Sequence, residues 1–263
     1  MKNEKIFKAI GRVDDQYIKE AAPAVPKEKK TQKRSWVKWG AVAACLSLLI
    51  FGAALLFNDT TPGFDLTRST GSVSVKYIDP DEVPTGVNSN VALPYLSEEE
   101  LFTKYEMIAF KGTVQNIENI LIKFGEAFQY YSIATIQVDK VYKGDIETES
   151  LLRVLVPYAY SDGVGIEDSE TVANLKVGMT GIFTPKKCDE TGTTDDFRQW
   201  GESRIVLADI AAYRFSDGVR WMFLDTNEGL VFDRYSYDGA ADAKTLDDIE
   251  NYIHDALKIV SKV

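Results

Sequence analysis

Residues 107–122, MIAFKGTVQNIENILI, and 128–142, FQYYSIATIQVDKVY, decide the fold. Both are long runs rich in β-branched and aromatic residues, which suit a pleated, half-buried surface, and Gly125 between them supplies a turn. In the second run Ala134, Ile136 and Val138 alternate with Thr135, Gln137 and Asp139, so the spacing predicts a strand with one buried and one wet face. Lys143-Gly144-Asp145 then reads as a tight turn. Leu151 to Pro157 (LLRVLVP) and Lys176 to Pro185 (KVGMTGIFTP) read as two further strands, with Gly178 and Gly181 suited to bulges or sharp bends. Long strands bent by glycines and joined by short hairpins favour a small closed barrel over a flat sheet.

On the C-terminal side, Arg204 to Phe215, Val219 to Leu224 and Leu230 to Tyr237 are separated by Ser216-Asp217-Gly218 and Asn227-Glu228-Gly229, the pattern of a β meander. A helix follows, with Thr245 as N-cap. Leu246, Ile249, Ile253, Leu257 and Val260 form one apolar stripe on it that lies against the sheet. On the N-terminal side, Ser97 before Glu98-Glu99-Glu100 is a capping-box start for a short helix. Residues 58–95, rich in Pro, Gly, Ser, Thr and Asn, read as a spacer ordered only where it docks, with a strand at Gly71 to Ile78. The expected class is mixed α/β, mainly β.

Farther out, Trp36 to Phe57, WVKWGAVAACLSLLIFGAALLF, carries no charge after Lys38. At a rise of about 1.5 Å per residue the stretch makes a rod of roughly 33 Å, against a bilayer core of about 30 Å. It reads as a transmembrane helix. Residues 1–38 hold 11 Lys and Arg against 5 Asp and Glu, net +6, whereas the rest of the chain holds 19 against 35, net −16. The positive-inside rule then puts the N-terminus in the cytoplasm and the acidic body outside, in a single pass, at the cell membrane. The basic run KEKKTQKR (27–34) sits beside anionic lipid, with Trp36 and Trp39 at the inner interface. The expected domains are 1–35, a cytoplasmic helix and basic linker; 36–57, the membrane helix; 58–104, the spacer and short helix; and 105–263, the outer β domain.

Within the cytoplasmic piece, Ile6, Ile10, Val13 and Tyr17 recur at helical spacing, and Phe7 widens the stripe. So short a helix is marginal alone. Its apolar face needs cover, either a cytoplasmic protein partner or the membrane surface.

Two resemblances add to this. AIGRVDDQYIKEAAP, the basic linker and RSWVKWGAVAACLSLL resemble the start of single-pass envelope proteins of Gram-positive bacteria, some of them similar to membrane-bound anti-sigma factors. The His/Cys zinc set of one anti-sigma class is missing. FKGTV, IATIQVDKVYKGD, VLVP and LKVGMTGIFTP resemble the strand succession of an OB-type barrel of the tissue-inhibitor and netrin-like group, which implies binding through one face and its loops.

No catalytic, cofactor or metal set is expected. His254 is the sole histidine and reads as structural or exposed; Cys188 reads as an ordinary loop thiol beside Lys186 and Lys187. The acidic loops 162–170 and 188–196 lack the calcium-loop spacing and read as solvated. Trp200 and Trp221 are either core residues or a ligand platform. Nucleic acid is repelled by a body of net −16. The composition therefore points to a membrane-anchored, non-enzymatic sensor or regulator, or to an envelope binding or structural module without signalling.

Overall fold

The computed structural model describes residues 63–84, 93–161, 171–192 and 195–260. They belong to one compact unit, Thr61–Val263; a second unit, Met1–Thr60, lies outside the described residues. The expected cytoplasmic helix and the apolar span 36–57 fall there. Among the described residues no helix is long and apolar enough to cross a membrane. The described chain runs β1 (Val73–Tyr77), α1 (Glu98–Thr103), β2 (Ala109–Phe124), β3 (Ala127–Lys143), β4 (Leu151–Val156), β5 (Thr180–Phe183), β6 (Lys186–Lys187), β7 (Phe197–Trp200), β8 (Ser203–Val206), β9 (Tyr213–Arg214), β10 (Met222–Thr226), β11 (Gly229–Val231) and α2 (Leu246–Val260). The class is mixed α/β, mainly β, with the main sheet curled into a half-barrel.

The two long runs form the antiparallel hairpin β2–β3, turned at Gly125 with φ +65°. A register shift between Val114 and Asn116 moves the side-chain alternation of β2 by one. Ahead of it Phe110 and Val114 point into the main core with Ala134, Ile136 and Val138; beyond it Ile120, Ile122 and Phe124 join Tyr131 and Ile133 in a second core on the opposite face. The expected wet face therefore holds only for the stretch Thr135–Asp139. Beyond the shift the second face is covered as well around Asn119, Leu121 and Ser132, consistent with the unbroken apolar run Ile120-Leu121-Ile122, whereas Lys123 and Phe128 near the tip are exposed.

The sheet order is β11-β10-β5-β2-β3-β4-β9-β6, with β1 paired to the distal half of β2. All named neighbours are antiparallel except β4 and β9, which run parallel. The far edge returns: Lys186 on β6 is bridged to Met107, just before β2. Tight coiling needs close backbone approach. A Cβ on Gly112 would lie 2.5 Å from the Gln137 carbonyl oxygen, and one on Gly181 2.8 Å from that of Phe223.

Several boundaries differ from expectation. The strand expected at 176–185 is β5 alone, because Gly178 at φ +84° turns the chain before it and the pairing with β2 breaks at Thr184-Pro185 ahead of β6. The meander is largely absent. Of its three expected strands only β10–β11 form a hairpin; Arg204–Phe215 is broken by a helical turn at Leu207–Asp209, so β8 pairs with β7 and β9 with β4. The turn is fixed by Asp209, whose buried carboxylate accepts from Arg68 N and from Ser69 Oγ at 2.6 Å.

Both helices start as their sequences dictate. Ser97 and Glu100 make a reciprocal capping box for α1, and Thr245 and Asp248 do the same for α2. Leu246, Ile249 and Ile253 bury the inner face of α2 in the main core beside Leu101 and Phe102 of α1.

Candidate functional site

β6 supplies the site's first residue. In a strand, adjacent residues face opposite ways, so Lys186 turns inward and Lys187 outward to Glu106 at 3.0 Å. The side chain of Lys186 is 3% exposed. Its ammonium lies 2.8 Å from Asp195 Oδ1, 3.0 Å from Asp196 Oδ1 and 4.7 Å from the centre of the Tyr105 ring. Arg214 of β9, equally buried, binds the same two acids: Nη2 lies 3.0 Å from Asp195 Oδ2, and Nε donates to Asp196 Oδ1. Two cations and two carboxylates thus alternate around one node. An open cleft of about 490 Å³ lies against it, lined also by Lys104, Glu106, Cys188, Asp189 and Glu190.

The electrostatics follow from this pairing. Burial alone would push the Asp196 carboxyl up, but the Arg214 charge, the Asp189 N–H and Lys186 together hold it below the usual carboxylate range. Asp195 is lowered in the same way, burial being outweighed by Lys186 and Arg214. Both acids are ionised at neutral pH and committed to their cations. Burial, aided by the Asp196 charge, pushes the Cys188 thiol up to about 12, so it is a protonated core group.

A second node lies across Tyr105, whose ring meets the Trp221 edge at 5.9 Å. The Asp217 carboxylate accepts from Val219 N, Arg220 N, the Arg220 guanidinium at 2.7 Å and Trp221 Nε1 at 2.8 Å. Arg220 also donates to the Pro94 carbonyl at 3.0 Å, pinning the segment that leads into α1.

Several expectations about single residues change. Cys188 is 3% exposed and packs in the second core; its N–H donates to Ala212 O, one residue beyond the β6–β9 pairing. The loop 188–196 is clamped through Asp196, which is 1% exposed, and is not simply solvated. Among the described residues no group of three or more His, Cys, Asp or Glu could hold a metal ion. The loop 162–170 lies outside the described residues, as do Ile6, Phe7, Ile10, Val13 and Tyr17. Trp221 is core and Trp200 is exposed, so the two form no shared platform. His254 is exposed on α2, its ring edge-on to Tyr142 at 5.4 Å and its Nε2 3.8 Å from Glu250.

The node was missed in sequence reading because Lys186-Lys187 and Asp195-Asp196 look like surface charge. No period in the sequence marks it: β6 is two residues long, and Asp195 and Asp196 lie in no named strand.

No protein-family profile, curated protein or solved structure matches the chain.

Proposed function

We propose that this chain is a single-pass membrane protein of the Gram-positive envelope type, with a cytoplasmic N-terminus and an extracytoplasmic, non-enzymatic binding domain of OB-like form. The observation that carries the reading is the uncharged run from Trp39 to Phe57 between a stub of net +6 and a body of net −16. The OB-like part is supported by the succession β2-β3-β4-β9-β6 with its parallel β4–β9 pair and the Met107–Lys186 bridge back to β2, an order compatible with a five-stranded Greek-key barrel. In this reading Ile6, Phe7, Ile10, Val13 and Tyr17 dock a cytoplasmic protein, in the manner of an anti-sigma factor, and the outer domain meets a ligand or protein.

Protease added to intact cells tests the topology: the C-terminal part should be cut and a short N-terminal fragment protected. Full protection of the C-terminal part, or recovery of the whole chain as soluble protein, overturns it. For the cytoplasmic side, a pull-down with residues 1–35 should recover one soluble protein and lose it on Ile10→Asp. Recovery of none favours the envelope module without signalling.

A further inference from the structure

Residues 63–84 follow the proposed anchor and are built into the outer domain: the strand expected at Gly71 to Ile78 is present as β1, and the residues on either side of it dock as well. β1 pairs along its whole length with β2, from Val73 opposite Phe124 to Tyr77 opposite Ile120. Ile78 N extends the pairing to Asn119 O at 3.0 Å, and at the other end Gly125 N donates to Ser72 O at 2.8 Å. Upstream, Thr70 and Arg204 exchange backbone hydrogen bonds of 2.8 and 2.9 Å, and Ser72 N donates to Ser203 Oγ at 3.0 Å. The buried Asp209 carboxylate accepts from Arg68 N at 3.1 Å and Ser69 Oγ at 2.6 Å. Phe64, Leu66, Val73, Val75 and Tyr77, partly buried, pack against the second core, while Ile78 and Val83 pack on Leu121.

All these contacts are made to residues that come after Pro84 in the chain. The peptide link between Pro84 and Leu93 is therefore not the sole connection between residues 63–84 and the remainder of the domain.

We propose that residues 63–84 form a non-covalent tether: a chain cut between Pro84 and Leu93 stays assembled through β1, and the outer domain leaves the membrane only when that strand is also displaced. Release is thus a two-step event, cleavage followed by strand removal. The ladder, the Asp209 clasp and the apolar layer must be lost together, because each covers polar or apolar groups that the others leave exposed. The proposal rests on the membrane-anchor reading of residues 36–57.

The test places a sequence-specific protease site between Pro84 and Leu93 in the full-length chain, in membranes, with tags at both termini. Before cutting, both tags should pellet with the membranes; a soluble uncut chain would overturn the anchor reading, not the tether. After complete cutting the C-terminal tag should stay in the pellet and co-purify with the N-terminal tag in mild detergent, leaving on addition of denaturant. Release by cutting alone overturns the proposal. Val75→Glu, which puts a charge into the second core, should convert retention into release. Asp209→Asn, which preserves shape while weakening the clasp, should lower the denaturant concentration at which the cut domain leaves. Retention of the cut domain at wild-type denaturant resistance in both variants would show that something other than β1 holds it, and would also overturn the proposal.

Discussion

Lys186 and Arg214, each 3% exposed, lie against the buried Asp196 carboxylate and the more open Asp195, 62% exposed, and the buried part of this node is costly to break from one side. Removing one partner strands a charge in a buried site, a loss of about 3 to 5 kcal/mol. Arg214→Leu, which takes one of the two cations away from both carboxylates, is expected to fall in that range by urea unfolding, whereas Lys187→Met on the opposite face should change stability by less than about 0.5 kcal/mol. The pH dependence has a definite sign. The folded-state values of Asp195 and Asp196 are depressed, so their contribution is present above the ordinary carboxylate range and is lost as pH falls through the lower folded values. A plot of melting temperature against pH should therefore drop steeply below about pH 4, and the drop should be shallower in Asp196→Asn. An unchanged acid limb would remove the node from the account.

At the scale of elements, the β2–β3 hairpin and α2 were legible in the sequence because each carries a long, regular period. The stripe Leu246, Ile249, Ile253 identified the buried helical face, and Thr245 marked its start, to which the structure adds Asp248. Thr245→Ala should cost about 1 kcal/mol. Ile249→Ala, at a fully buried position, should cost roughly 2 to 5 kcal/mol. Both are read from chemical denaturation, and equal losses would argue that the helix is held by its cap and not by its stripe. The short strands were not legible. β6 and β9 are two residues each, too brief for any period, and they are strands only because the edges of β4 and of the segment before β2 offer partners. β7 follows the acidic loop 188–196, in a stretch to which the sequence assigned no element. The break at Leu207–Asp209 depends on Arg68 and Ser69, about 140 residues away in sequence.

For the whole molecule, two apolar layers share one hairpin, and the N-terminal segment completes the second. Deleting residues 63–84 should expose Ile120, Ile122 and Phe124, seen as increased binding of a hydrophobic dye and a lower urea midpoint; a truncated chain as stable as the parent would show that β1 is dispensable. The sequence by itself determined the β-rich class, the long hairpin, both capped helices and the charge asymmetry of the chain. Each of these depends on local periodicity or on composition, and neither needs a distant partner. Only the tertiary structure decided which of Lys186-Lys187 and Asp195-Asp196 is inward, that Cys188 is core, and that the strand expected at Gly71 to Ile78 pairs with the distal half of β2. Those outcomes depend on contacts between residues far apart in the chain, where the cost of burying a charge or a backbone amide is offset only by a partner that folding brings to it.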